Sequence, residues 1–134
     1  MNIKELIQQS VDLIEGSDFS HDQEKDIFNI NVNIDGDTDK IHVYQDVFED
    51  EDSGISKKII VCESLIGIYK NTIDLLRLSK SNDSLFFARA YVSEEDGKIL
   101  VEACVFMENM NPLNLSAVIR EVAEHSIYLK DDLF

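Results

Sequence analysis

The segment DGDTDKIHVYQD, Asp35 to Asp46, sets acids at alternate positions in the manner of a calcium-binding loop. Such a loop takes oxygen ligands from its first, third and fifth residues and needs Gly at the sixth for a sharp turn. A carbonyl follows at the seventh, and a bidentate Glu closes the shell at the twelfth. Asp35, Asp37 and Asp39 meet the first requirement, but Lys40 stands at the sixth position and Asp46 at the twelfth. His42 lies where an apolar residue is expected, and the preceding FNINVNI alternates as a strand where a calcium site needs an entering helix. The better explanation is a hairpin turn, where Asp and Gly are favoured for local backbone bonding. No metal site and no cofactor are expected.

The other candidates are single residues or short runs. Glu49 to Ser53, EDEDS, can meet a basic peptide but reads more simply as a solvated loop tip. His125 follows Glu121 by four residues on a helical pattern, so the two share a face. With no Cys or His nearby it reads as a surface residue. His21 falls in a loop and His42 in a strand, and neither makes a metal spacing. Cys62 and Cys104 lie in apolar runs without CxxC spacing and read as small buried residues. The chain has no GxSxG, HExxH, P-loop or GxGxxG, so nothing marks a catalytic residue. Arg89 interrupts the apolar run SLFFARAYV. A charge there is usually paired or at an edge; a strand acid such as Glu102 is the favoured partner, and a binding partner's carboxylate the sharper alternative.

The elements that position these residues follow from periodicity. Ile3, Leu6, Ile7, Val11 and Ile14 predict a first helix over Ile3 to Glu15, with Asn2 and Glu5 as a capping pair and Gly16 as the stop. FNINVNI, then the segment with Ile41 and Val43, then SKKIIVCES, form an antiparallel meander joined by the acidic turns DGDTD and EDEDSG. SLIGIYKNTIDLLRLSKSND reads as a second helix, SLFFARAYV and KILVEACVFM as strands four and five around SEEDG. The last helix starts at Asn111–Pro112 and carries Leu115, Val118, Ile119, Val122 and Leu129 as a stripe. The order αβββαββα predicts one α+β domain over residues 1–134, with a five-stranded antiparallel sheet and helices mainly on one face.

Strands four and five are apolar on both faces: Phe86, Ala88, Ala90 and Val92 against Leu85, Phe87 and Tyr91, then Ile99, Val101, Ala103 and Val105 against Leu100, Cys104 and Phe106. An antiparallel sheet normally leaves one face polar. Both faces here want cover, and one helix layer covers one of them. The other is expected to meet a second subunit or a protein partner.

Length and charge bound the partners. A chain of 134 residues, 44% hydrophobic and 29% charged, buries a core without disulfides or metal. Its net charge of −15 argues against nucleic acid and against anionic membrane surfaces, and is compatible with a partner bearing a basic segment. The amphipathic N-terminus lacks the pattern of a signal peptide, which predicts a cytoplasmic protein.

From YKNTIDLLRLSKSND through SLFFARAYV, SEEDG and KILVEACVFM to the Pro-started helix ending in LKDDL, the second half is similar to the YbjN family. The element order also resembles class I type III secretion chaperones. The resemblance implies a chaperone-like fold and a small acidic dimer that binds a protein without catalysis, on exposed apolar surface. Phe86, Phe87, Arg89, Tyr91 and Phe106 are the expected partner or dimer contacts. The competing classes are a small-molecule-binding or catalytic domain, which needs a pocket joining His42, Tyr44 or His125 to several acids, and a structural subunit of a larger assembly.

Overall fold

The computed structural model describes residues 1–134. Its elements run α1 (Ile3–Asp12), β1 (Asp18–Asp22), β2 (Ile27–Ile34), β3 (Asp37–Asp50), β4 (Ile55–Ile68), α2 (Leu75–Lys80), β5 (Ala88–Val92), β6 (Lys98–Phe106) and α3 (Pro112–Leu133). The fold is α+β. One open antiparallel sheet holds the six strands in the order β1-β2-β3-β4-β6-β5.

Each helix begins where its sequence supplies a cap. Asn2 accepts from the Glu5 backbone N–H at 2.8 Å and donates to the Glu5 carboxylate at 2.9 Å. Leu6, Ile7 and Val11 then turn inward. Asn111 accepts from Asn114 N–H, and Pro112 occupies the first turn of α3, where its missing donor costs nothing. The stripe of Leu115, Val118, Ile119, Val122 and Leu129 is fully buried. It lies on Phe28, Ile30, Ile41, Val43, Ile60, Cys62, Val101 and Ala103 from one face of the sheet, in a single core.

The DGDTD segment is a two-residue hairpin. Ile34 pairs with Asp37, and the residues between, Asp35 and Gly36, have φ of 51° and 93°. Two successive positive φ values are the signature of a type I′ turn, whose twist suits the flanking strands. Asp39 does not turn outward as a ligand. Its side chain is buried and accepts from Ser64 Oγ at 2.7 Å, Ser126 Oγ at 3.0 Å and Lys130 Nζ at 2.7 Å. This network ties β3, β4 and α3 together.

Three features differ from the sequence expectation. The sheet has six strands, not five, because Asp18–Asp22 pairs with Ile27–Asn31 as an edge strand. DFSHD carries too few apolar residues to signal a strand; Phe19 packs against the core, and His21, expected in a loop, lies in this strand and stacks on Phe28 at 4.1 Å between ring centres. The second helix shrinks to Leu75–Lys80, capped by Asp74, because β4 runs on to Ile68. Ser64 and Ile66 are buried while Leu65 and Ile68 are exposed, and pairing with β6 continues past a bulge at Leu65/Gly67. A neighbouring strand thus overrides a spacing that also suited a helix. The acidic EDEDSG is half strand: β3 reaches Asp50, and the turn is Glu51–Gly54. The hairpin tip therefore projects beyond β2, whose pairing with β3 ends at Val43.

Candidate functional site

The face of the sheet away from α3 has no covering layer. Alternation and register place one polar row across it: Asn29 opposite His42, His42 opposite Glu63, Glu63 opposite Glu102, and Glu102 opposite Arg89. Apolar rows flank its β4–β6–β5 half. Val61 pairs with Cys104 and Ile59 with Phe106 on one side, and Leu65 with Leu100 and Leu100 with Tyr91 on the other. Of the large side chains here, Leu65 is 47% exposed, Phe106 40% and Tyr91 38%. Phe48, on the projecting hairpin, meets Phe106 edge-to-face at 6.1 Å between ring centres. Phe48, Ile59, Phe106 and Met110 line an apolar hollow of about 350 Å³ there.

The polar row has unusual electrostatics. Two carboxyls face each other across β4 and β6. Burial, then a hydrogen bond to Glu102 and its charge, raise the Glu63 carboxyl above the ordinary range. Tyr91 donates to Glu102 Oε2 at 3.1 Å, and burial with the charge of Glu102 pushes its hydroxyl up to about 12. Tyr44 is raised for the same first reason, burial, helped by Glu63. Cys104 is exposed, not buried as expected; burial of its thiol edge and the nearby Glu102 push it up to about 11. A thiol held protonated in this way is a poor nucleophile. Arg89 stands opposite Glu102 but makes no ion pair with it: its guanidinium donates to the Ala88 carbonyl at 2.6 Å and the Leu85 carbonyl at 3.5 Å. The expected structural pair is therefore absent, and the cation is left without a carboxylate.

Phe86 and Phe87 do not join this face. They lie in the bend before β5, and line an open cleft of about 500 Å³ against α3 with Leu85, Arg120 and Tyr128. Phe86 is 86% exposed, the most of any large apolar side chain in the chain. The five residues expected as partner or dimer contacts thus fall into two places, the open sheet face and the cleft.

The cleft's polar groups are mostly engaged. Glu121 Oε1 accepts from the backbone N–H groups of Phe86, Phe87 and Ala88 at 2.9 to 3.1 Å. His125, expected at the surface, is 7% exposed, bonds Ser81 Oγ at 3.0 Å and stacks near Tyr128. Burial lowers its pKa, opposed by Glu121, so it is a neutral packing residue at physiological pH. Asn82 bonds both backbone groups of Ala90, its Oδ1 accepting at 2.7 Å and its Nδ2 donating at 3.1 Å. With Glu121 on Ala88 N–H and Arg89 on Ala88 C=O, side chains close the outer edge of β5.

No group of three or more His, Cys, Asp or Glu side chains is placed to share a metal ion. No helix is long and apolar enough to cross a membrane. The apposition of Glu63 and Glu102 was hidden in the sequence. Alternation places Glu102 beside Leu100 and Cys104, but only the register of β4 on β6 brings Glu63 opposite it. Asn82 and Glu121 carry no sequence signal of their edge-closing role. No protein-family model matches the chain, and no curated protein matches it.

Proposed function

We propose that this is a non-enzymatic, chaperone-like or regulatory binding protein of the cytoplasm that works as a homodimer and engages a protein partner through apolar surface. The observation that carries the reading is the exposure of Leu65, Tyr91, Phe106, Phe86 and Phe87 at two places flanking strands β5 and β6. Large apolar side chains gathered in patches, unlike isolated ones, mark interaction sites. The net charge of −15 and the acidic hairpin tip favour a partner with a basic segment, which such charge steers and selects. The resemblance of the second half of the sequence to the YbjN family supports this reading.

The test is capture of a partner by the purified chain from extract of its native host, at low and moderate salt, beside the variant Phe87→Asp. One or a few stoichiometric proteins held through moderate salt by the parent and released by the variant are expected. Retention by a folded Phe87→Asp chain removes the cleft from the reading. A second reading, binding of a small ligand, draws on the meeting of Arg120, Glu124 and His125 in that cleft. A ligand that raises the melting temperature of the parent and not of Arg120→Ala selects it.

A further inference from the structure

The geometry points to a second copy of this chain as the cover of the open sheet face, with Arg89 of each copy paired to Glu63 of the other. This rests on the dimeric reading above and assigns its interface.

The argument begins with charge. Glu63, Glu102 and Arg89 occupy one row on the adjacent strands β4, β6 and β5. Within one copy the two carboxyls confront each other and the cation turns away to backbone carbonyls. Place a two-fold axis between two such faces, parallel to β6. The operation leaves Glu102 over Glu102 and exchanges the neighbouring strands, so Arg89 of each copy comes over Glu63 of the other. Strand spacing of about 4.8 Å makes the exchange symmetric, and faces packed about 10 Å apart are within reach of an Arg–Glu pair. Arg89 and Glu63 make the patch self-complementary, as a two-fold interface requires, and the two Arg89 side chains flank the Glu102 carboxyls that meet on the axis. A purely basic partner satisfies the carboxyls but leaves Arg89 facing like charge.

The apolar rows supply the contact area. Leu65, Leu100 and Tyr91 lie on one side of the charged row, and Cys104 and Phe106 on the other, over the already buried Val61. About eight residues each of β3, β4 and β6 with the five of β5 span on the order of 450 Å² in projection, and more with side-chain relief, against about 800 Å² per partner in a standard interface. The β1–β2 half of the same face carries Asn29 and Asn31, so the patch has a polar rim. The cleft with Phe86 and Phe87 stays outside this interface and remains free for a partner.

Sedimentation of the parent, Arg89→Glu, the double variant Glu63→Lys/Glu102→Lys, and an equimolar mixture of the two tests this. A dimeric parent at micromolar concentration, monomeric variants with native circular dichroism, and a dimer restored in the mixture are expected. Leu65→Glu, at an exposed position in the same patch, is the control against misfolding by charge reversal; it too is expected to be monomeric. A folded Leu65→Glu chain or a folded Arg89→Glu chain that stays dimeric overturns the interface and leaves the dimeric reading standing. A monomeric parent overturns both, while partner capture through the cleft is judged separately by Phe87→Asp.

Discussion

At the residue scale, one half-buried ion pair and one like-charge pair place opposite demands on the fold. Asp39 is enclosed with three donors, and removing it leaves two buried hydroxyls and an ammonium without their acceptor. Ser64 and Ser126 then keep only each other at 2.8 Å in a buried place, while Lys130 can turn to water, so the loss costs about 2 kcal/mol. Asp39→Ala is therefore expected to lower the melting temperature by several degrees, read by calorimetry. Lys130→Met is expected to cost less, since its side chain is partly solvated and the two serines still serve Asp39. Glu63 behaves in reverse. Its carboxyl is raised on folding, so the stabilisation it gives is complete below its unfolded value and disappears as pH climbs through the folded one. Glu63→Gln keeps the shape of the neutral acid. Made in the monomeric Leu65→Glu chain, it is expected to raise the melting temperature at about pH 7 and to give no gain at about pH 4. Equal gains at both pH values would show that charge is not the cause.

At the element scale, the strand edges decide what can be added to the sheet. β5 is short, and its outward backbone groups at Ala88 and Ala90 are taken by Glu121, Arg89 and Asn82. Such closure guards an edge against pairing with another chain. Asn82→Ala frees both groups of Ala90 and is expected to cost about 1–2 kcal/mol, with faster amide exchange at Ala90 and increased light scattering on heating. Unchanged exchange would mean that water or a neighbour already serves that edge. The first and last helices and most strands were legible because cap, period and turn agreed: Asn2 with Glu5, Asn111 with Pro112, and alternation from Phe28 to Ile34. The extension of β4 was not, because Ser64 to Ile68 fits two periods and only its pairing with β6 chooses between them. The two-faced apolar character of β6 was legible from alternation alone. The division of the five expected contact residues between sheet face and cleft was not, since it depends on where the chain bends before β5.

At the scale of the whole molecule, the net charge separates the two kinds of association proposed for it. Two copies of a chain at −15 repel each other at every distance beyond contact. Salt shortens the reach of that repulsion, from about 10 Å at 0.1 M to about 3 Å at 1 M. It also weakens the four-residue Arg89–Glu63 exchange at the interface, but those groups are shielded from solvent in the dimer and are screened less. The dimer is thus expected to tighten several-fold between about 0.05 and about 0.5 M sodium chloride, measured by sedimentation equilibrium. A basic partner is drawn by the same field, so its affinity is expected to fall over the same range. Opposite slopes would separate an apolar interface between like-charged copies from an electrostatically selected partner. A dimer that loosens with salt would instead place its stability in the ion pairs and not in Leu65, Tyr91 and Phe106.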